Sequence, residues 1–210
     1  MVNMSSLLPL FPLQLVAFPG SAIPLHIFED RYKEMVGEAE AAGTEFGIVL
    51  SKDGGIVNAG CTVVVESVTE RFPDGRFNVI TRGKRRFTLL GIDEEKDYLR
   101  GEVEFFDDED WAPVSPELRE RALSSYRIIR TALHDMAGNP DLSAVRLSFQ
   151  LAETVDDLDF QNLLLRSRSE SERLQRYIDV VTPYLERKHY KAKMEKVAGL
   201  NGSGHKPASI

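Results

Sequence analysis

Histidine and cysteine are the residues of this chain best suited to bind a metal ion, and their spacing does not favour such a site. The histidines are His26, His134, His189 and His205, and none has a second histidine at the short spacing of a zinc ligand pair. The single cysteine, Cys61, begins a valine-rich run. A lone cysteine in an apolar strand is typical of a buried structural residue rather than of a nucleophile. We therefore predict neither a metal centre nor a catalytic cysteine.

Serine, aspartate and glycine are plentiful, but no pattern assembles them into a hydrolase or a nucleotide site. The sequence contains neither the G-x-S-x-G elbow of serine hydrolases nor the G-x-x-x-x-G-K-[ST] phosphate loop. Gly54-Gly55 predicts a hairpin turn. Asp156, Asp157 and Asp159 lack the glycine and the distal glutamate of a calcium loop, and helix capping explains them better. The sequence thus predicts no cofactor and a protein that is not an enzyme.

The elements that would position a functional side chain begin with residues 18–32. Pro19-Gly20 predicts a tight turn, since proline presets φ and glycine accepts a positive φ. The apolar run Ile23–Phe28 predicts a short core strand, with Pro24 suited to an edge that needs no ladder donor. Acidic residues then favour a helix start, and apolar residues at helical spacing continue until Gly43. We interpret this block as architectural. The residues assigned to it are Phe18, Pro19, Gly20, Leu25, Ile27, Phe28 and Tyr32.

Short strands are indicated from Thr44 to Phe106, with a turn about every ten residues. In the run Cys61–Arg71 the alternation of apolar and polar residues is interrupted near the middle, which predicts a bulge. Asp74-Gly75 is a strong hairpin signal. Phe87–Ile92 is apolar at nearly every position and predicts a buried strand. This series indicates a barrel or a sandwich, with the helix of residues 29–42 covering an open end or edge.

An acidic, proline-interrupted run divides the strand signals from the helical ones. Four consecutive acids occupy 107–110, and Trp111 and two prolines follow. Such a run is typical of a linker. Apolar residues then step by three or four along amphipathic helices, the first from Leu118 to Met136. We predict a β-rich lobe at 1–108, a linker at 109–116, a helical lobe at 117–198 and a disordered tail at 199–210.

Four stretches of the chain, in the same order, resemble one known family. They are LLPLFPLQLVAFPGSAIPLHIFEDRYKEMV (Leu7–Val36), FGIVL (Phe46–Leu50), DGRFNVITRGKRRFTLL (Asp74–Leu90) and LSFQLAETVDDLDFQNLLL (Leu147–Leu165). Over about residues 7–190 the chain resembles the N-terminal domain of Lon proteases and its freestanding relatives. The resemblance implies an α+β fold, with an N-terminal β-rich PUA-like pseudo-barrel lobe carrying one helix and a C-terminal helical bundle lobe. It also implies recognition of protein substrates or partners.

Two parts of full-length Lon proteases have no counterpart in this sequence. Their ATPase module needs the phosphate loop that is absent here. Their serine–lysine peptidase module lies beyond the last matching residue. The resemblance is therefore to a freestanding recognition domain, which we expect neither to hydrolyse ATP nor to cleave proteins.

Composition favours a soluble cytoplasmic protein. The chain has 210 residues and a formal net charge of −7 at pH 7. Its single cysteine cannot form an internal disulfide, which fits a reducing compartment. Negative charge also argues against nucleic acid as a partner, because affinity for nucleic acid depends on phosphate neutralisation. The apolar stretch Leu7–Phe18 lacks a basic leader and is too short to span a bilayer, so we predict a first strand and no membrane association. The basic run Arg82–Arg86 is interpreted as a solvated turn or strand-edge face.

Three classes of function fit the sequence, and a protein-binding module is the leading one. In this hypothesis an apolar cleft between the lobes holds unfolded or extended protein segments, or a protease or chaperone partner, in ATP-dependent proteolysis or quality control. The alternatives are a PUA-like nucleic-acid or small-ligand binder and an enzyme of unrecognised type. The partner-binding candidates are Trp111, Phe105, Phe106 and Phe11 near the lobe boundary, and Pro24 at a sheet edge to which an extended partner could add a strand. Aromatic residues that only join the lobes would explain Trp111 equally well. The sequence predicts neither the client nor the oligomeric state.

Overall fold

The computed structural model describes residues 7–110, 112–134, 140–142, 144 and 146–201, with side chains as far as residue 195. The strands are β1 (Leu8–Leu13), β2 (Ala22–Ile27), β3 (Phe46–Lys52), β4 (Gly55–Arg71), β5 (Phe77–Asp93) and β6 (Arg100–Phe106). The helices are α1 (Asp30–Ala42), α2 (Pro116–Leu133), α3 (Leu147–Ala152), α4 (Leu158–Arg166) and α5 (Glu170–Asn201). The fold is mixed, with a β-rich lobe followed by a helical lobe, as predicted.

Five of the six strands close into a ring. β1 pairs in parallel with β3 and antiparallel with β6, and antiparallel β3–β4, β4–β5 and β5–β6 pairs complete the circuit. The parallel pair needs a crossover connection, and the segment containing α1 supplies it. β2 lies outside the ring and pairs with the first half of β5, from Ala22↔Arg82 to Ile27↔Phe77. Its other edge pairs with no strand in the described part of the chain.

The ring encloses a small apolar cluster that is separate from the main core. Its buried members are Leu10, Val49, Phe87 and Leu89. Gly60 leaves room for Phe87, because a Cβ at Gly60 would lie 2.4 Å from the phenyl Cζ atom. Leu90 and Ile92 are at least half exposed, so the prediction that the whole run Phe87–Ile92 is buried is wrong. Alternation along β5 sends every second side chain to the outer face of the ring.

The turn at Pro19-Gly20 is tied to the middle of β5. Gly20 has the positive φ expected of the turn, 86°. Its N–H donates to the carbonyl of Gly83 at 2.9 Å, and the Gly83 N–H donates to the carbonyl of Ser21 at 2.9 Å. The two segments approach so closely that a Cβ at Gly83 would lie 1.9 Å from the carbonyl oxygen of Phe18. Gly83 therefore fixes the position of the turn on the sheet.

Helix α1 confirms the prediction from helical spacing. Its buried residues are Tyr32, Met35, Val36 and Ala39. Gly43 follows the helix in the left-handed conformation, with φ 64°, and ends it as expected. The helix thus presents one apolar face to the core.

Helix α2 is shorter than predicted. Its apolar stripe includes Tyr126 and Ile129, which are buried as expected, and the helix packs against α5. The helix ends at Leu133, because His134 adopts a left-handed conformation with φ 54° that histidine tolerates better than most residues. The predicted continuation to Met136 lies outside the described residues.

Side-chain caps begin three of the helices. The caps are Ser115 for α2, Asp157 for α4 and Ser169 for α5, and each accepts a hydrogen bond from the backbone N–H three residues on. The prediction that helix capping explains Asp156, Asp157 and Asp159 is therefore confirmed for Asp157, whereas Asp156 pairs with Lys188 and Asp159 with Lys52.

A buried network of charges joins the sheet to the helices. Arg86 on β5 is 1% exposed and donates to Asp108 at 2.6 Å and to the carbonyls of Leu165 and Ser167 at the end of α4. Arg173 on α5 is 0% exposed and donates to both carboxylate oxygens of Asp108 at 2.7 Å. One buried aspartate is thus held between an arginine of the sheet and an arginine of the helices.

Glu170 balances the second positive charge of this network. Arg173 donates to Glu170 at 2.8 Å, and Ser148 donates to the same carboxylate through its backbone N–H and its hydroxyl. Both guanidinium groups also lie near the ring of Phe149, that of Arg86 at 5.3 Å and that of Arg173 at 4.5 Å from its centroid. Buried charges are tolerated when they are paired and hydrogen-bonded. The network is therefore satisfied only when the two lobes are docked.

The burial of Arg86 corrects the interpretation of the run Arg82–Arg86 as a solvated face. Arg86 is paired with Cys61 on β4, and Gly83 is paired with Val63. β5 therefore has one residue more than β4 in this interval, which is the geometry of a β-bulge. The extra residue changes the face to which the following side chains point, and Arg86 turns toward the helices.

The acidic segment is fixed to the start of α5. Asp108 is buried, the Glu109 N–H donates to the carbonyl of Arg168 at 2.9 Å, and Asp110 forms an isolated bridge with Ser169. The main apolar core contains buried residues of both lobes. The division at 109–116 remains a prediction, and the described part of this segment is held against the helices.

Gly83→Ala is expected to lower the free energy of unfolding by about 1–3 kcal/mol, because the added methyl group has to displace the backbone of Phe18. Gly37→Ala in α1 is the matched control. Its Cβ meets no atom within 4 Å, and alanine favours a helix interior by about 1 kcal/mol over glycine. Urea unfolding of both variants measures the difference. A Gly83→Ala protein as stable as the parent would show that the turn is not fixed by β5.

Asp108→Asn is expected to lower the free energy of unfolding by about 3–5 kcal/mol at neutral pH, because it leaves buried arginines without their counter-charge. Burial alone would raise the pKa of Asp108, but Arg173 and then Arg86 outweigh it and hold that pKa below its ordinary value. The stabilisation is therefore present above about pH 5 and is lost as the pH falls through the folded-state pKa.

Unfolding measured across acid pH tests this dependence. In Asp108→Asn the decline of stability toward low pH should be shallower than in the parent protein. Asp159→Asn is the control, because Asp159 is largely exposed and pairs with Lys52 at the surface, where ion pairs contribute little. Equal losses in the two variants would contradict the prediction.

Candidate functional site

A groove of about 510 Å³ lies between β1 and the end of β2. β1 pairs with β6 at Leu8 and Pro9, and the Leu10 N–H donates to the carbonyl of Leu99. Beyond Leu10, that side of β1 pairs with no strand in the described ranges. The groove is therefore bounded by an uncovered strand edge on each side. Its lining residues are Phe11, Pro12, Leu13, Leu15, Leu25, His26, Phe28, Glu29, Arg31, Tyr32, Ser51 and Leu99.

Aromatic stacking forms the floor of the groove. The rings of Phe11 and Tyr32 lie 4.0 Å apart between centroids, with an interplanar angle of 29°. Both residues are buried, and burial raises the pKa of the Tyr32 phenol, so this ring is neutral at physiological pH. Arg31 lies over the Tyr32 ring and pairs with Glu29 at 2.7 Å. The groove thus combines an apolar floor with one ion pair at its rim.

Phe28 is exposed at the groove, which corrects the prediction that it packs in the core. Along β2, Leu25 and Ile27 are buried whereas Pro24 and His26 are exposed. Phe28 continues the exposed series and is 58% exposed. The alternation of a strand places it on the same face as Pro24 and His26.

The exposed ring of Phe28 is supported by its neighbours. It stacks on His26, with the ring centroids 5.8 Å apart. His26 is in turn hydrogen-bonded through Nδ1 to Oδ1 of Asn78 at 2.6 Å, and its ring meets Phe72 edge-on. Phe28 therefore presents an aromatic surface to solvent from an ordered position.

A second cavity of about 280 Å³ lies where the two lobes meet, and we call it the junction pocket. Its lining residues are Lys84, Arg85, Arg86, Phe105, Phe106, Asp107 and Arg146. The guanidinium of Arg85 lies 3.8 Å from the centroid of Phe105, and that of Arg86 lies 4.8 Å from the centroid of Phe106. The junction pocket is thus cationic with aromatic walls.

The structure separates the residues predicted to bind a partner. Phe11 lines the groove and Pro24 is exposed on the adjacent strand, whereas Phe105 and Phe106 line the junction pocket. Trp111 lies outside the described residues. Phe11 and Pro24 thus lie apart from Phe105 and Phe106, and the binding cleft between the lobes remains a prediction.

Several groove residues were not identified from the sequence. The alternation of β2 was a sufficient signal for His26 and Phe28, because it places both on the face opposite the buried residues. Leu13 and Leu15 follow the first half of β1 and carry no comparable signal. Leu99 reaches the groove through the pairing of β6 with β1, and a local pattern cannot reveal such a long-range contact.

Burial makes the thiol of Cys61 unreactive. Cys61 is fully buried, and burial raises the pKa of its thiol to about 12, which keeps it protonated as expected. Within the described ranges, no group of three or more His, Cys, Asp or Glu residues is arranged to hold a metal ion. No helix in the same ranges has the length and apolar character needed to cross a membrane.

Comparison with known families assigns the chain. Residues 7–188 match the model of the ATP-dependent protease La (LON) substrate-binding domain. The chain belongs to the Lon substrate-binding domain family. The matched range contains every residue that lines the groove and the junction pocket, so both cavities are features of this Lon domain.

Lon proteases of several bacteria are similar to this Lon domain over part of their length. The Lon protease of Flavobacterium johnsoniae is 30% identical over 168 residues, which are 75% of this chain and 19% of that protease. The Lon protease of Parabacteroides distasonis is 31% identical over 110 residues, which are 48% of this chain and 13% of that protease. The matched region therefore spans about a fifth or less of these relatives.

Solved structures of Lon N-terminal domains share the fold. The crystal structure of a Lon N-terminal domain protein from Xanthomonas campestris superimposes with a TM-score of 0.65 at 27% identity, covering 82% of this chain and 96% of that one. The N-terminal domain of Lon protease from Mycobacterium avium complex gives a TM-score of 0.58 at 16% identity, covering 83% and 97%. Because the identity to the second structure is low, that similarity supports the shared fold alone.

Phe11→Ala and Phe28→Ala are expected to differ sharply in stability. Phe11 is buried against Tyr32, so its truncation should lower the free energy of unfolding by about 3–5 kcal/mol. Phe28 is largely exposed, so its truncation should change that free energy by no more than about 0.5 kcal/mol. Thermal unfolding of the two variants checks the prediction. A large decrease in the free energy of unfolding of Phe28→Ala would show that the Phe28 ring packs in the core.

Proposed function

We propose that this Lon domain binds exposed apolar segments of other proteins in the groove and catalyses no reaction itself. The observation that carries the proposal is the exposed ring of Phe28 beside the apolar floor of Phe11 and Tyr32. Exposed apolar surface beside a concave cavity is typical of protein-binding sites. The groove volume of about 510 Å³ is suited to the side chains of a short segment.

The uncovered edge of β2 supports binding of an extended segment rather than a helix. The Gly83 N–H donates to the carbonyl of Ser21, so Ser21 and Gly83 form a hydrogen-bonded pair. Hydrogen-bonded and non-hydrogen-bonded pairs alternate along an antiparallel ladder. The main-chain groups of Ala22, Pro24 and His26 therefore point away from β5. Pro24 has a carbonyl but no N–H, so this edge has fewer donors than acceptors. An added strand pairs through its main chain largely regardless of its sequence. Such pairing suits a domain that receives varied clients.

Family membership supports the same proposal. The matched model describes the substrate-binding domain of an ATP-dependent protease. We propose that this chain holds protein substrates or partners for a protease or chaperone, in ATP-dependent proteolysis or quality control in the cytoplasm. A freestanding, non-catalytic form is part of the proposal. The closed ring likewise supports the PUA-like description of the β-rich lobe without deciding its function.

Nucleic acid is less well supported as the partner. Arg82 pairs with Glu66 at 2.8 Å and Arg85 pairs with Glu45 at 2.9 Å. Arg86 is buried in the network between the lobes. Among the described residues, three of the four cations of the basic run are therefore paired, with Lys84 the exception, and the net charge of the chain is −7. Phosphate recognition needs cations that are free to neutralise the backbone.

Phe28→Ala is expected to weaken binding of an unfolded protein by about tenfold or more, because it removes an exposed aromatic anchor. Fluorescence anisotropy with labelled casein, unfolded before use, measures the affinity. Leu90→Ala is the matched control, since Leu90 on β5 is also 58% exposed but does not line the groove. Its affinity for casein should equal that of the parent protein.

Melting temperatures of the two variants should stay close to that of the parent, which assigns a loss of binding to the contact itself. Equal binding by Phe28→Ala and the parent protein would exclude the groove as the binding site. Equal weakening by Phe28→Ala and Leu90→Ala would indicate general surface hydrophobicity and would also contradict the proposal.

A further inference from the structure

We infer that the junction pocket binds the free C-terminal carboxylate of a protein partner, with the last side chain of that partner against Phe105. The inference rests on the proposed function and deepens it by naming the part of the partner that is recognised. It concerns a cavity distinct from the groove.

The charges around the junction pocket do not balance. Four cationic side chains line the pocket, Arg173 is linked to one of them through Asp108, and four carboxylates form ion pairs within this group. The cations are Lys84, Arg85, Arg86, Arg146 and Arg173, and the carboxylates are Glu45, Asp107, Asp108 and Glu170. One positive charge is left over. Arg168 lies over Phe106 but pairs with Glu109, so it adds no net charge.

The surplus charge is located on Lys84. Arg85 pairs with Glu45, while Arg146 pairs with Asp107 and also approaches Asp108. Lys84 is exposed and forms no ion pair with any residue that the structure describes. A single anionic group beside Lys84 would therefore complete the charge balance, and a carboxylate carries one negative charge at neutral pH.

The size and the walls of the pocket favour a chain end. The volume of about 280 Å³ is slightly below the usual range for small-molecule sites, so one amino-acid residue fits better than a nucleotide. Phe105 lines the pocket and is 42% exposed, which leaves aromatic surface for an apolar side chain. A C-terminal apolar residue supplies a carboxylate and such a side chain together.

Two labelled peptides test the inference. Both have the same uncharged sequence ending in phenylalanine, but one has a free C-terminus and the other a C-terminal amide. Fluorescence anisotropy should show about tenfold tighter binding of the free acid, since hydrogen bonds to charged groups are the stronger ones. Lys84→Ala should remove this difference by weakening the free acid alone. Lys193→Ala, which removes an exposed lysine of α5 outside the pocket, should preserve it.

Equal affinity of the acid and the amide for the parent protein would overturn the inference. A preference for the acid that persists in Lys84→Ala would also overturn it. Tight binding of an amidated peptide with an internal aspartate would assign the pocket to acidic side chains instead. The amide peptide separately tests the proposed function, because the groove should still bind it and Phe28→Ala should weaken that binding.

Discussion

Enclosure of Asp108 between Arg86 and Arg173 is the interaction on which the arrangement of the two lobes depends. Each arginine belongs to a different lobe, and each also donates to the carbonyl of Ser167 between α4 and α5. Removal of any one partner leaves a charge buried without compensation, which is far costlier than loss of an exposed ion pair. The network therefore selects one relative orientation of the lobes, and apolar packing such as that of Phe18 on Phe149 reinforces it.

Strand β5 connects this interface to both candidate cavities. Its first half carries β2, whose end lines the groove, and its bulge turns Arg86 toward the helices. Lys84 and Arg85, at the bulge, line the junction pocket. One irregularity in a strand thus produces the interface and the cationic pocket together. The groove depends on a different feature, the uncovered edges of β1 and β2.

Local rules were sufficient to predict the parts of the fold that local interactions determine. The turn at Gly20, helix α1 and its end at Gly43 follow from residue type and spacing, and the structure agrees with each. The burial of Arg86 was missed because the bulge exists only in the pairing of β5 with β4. Phe28 was placed in the core although its own strand alternation pointed to solvent. For the candidate site, Phe11 was named from the sequence and lines the groove, but the position of the groove beside β2 depends on long-range pairing that no local pattern reveals.

Closure of the ring makes the β-rich lobe a product of long-range pairing. Its first strand bonds to its last, with Leu8 opposite Gly101, and contacts between residues so distant in sequence form slowly because a long loop must be closed first. During synthesis from the N-terminus, β1 keeps an open edge until β6 has emerged. Asp108 then remains without its full set of partners until α5 delivers Arg173. The buried charges that join the sheet to the helices are therefore fully compensated only after α5 has been synthesised.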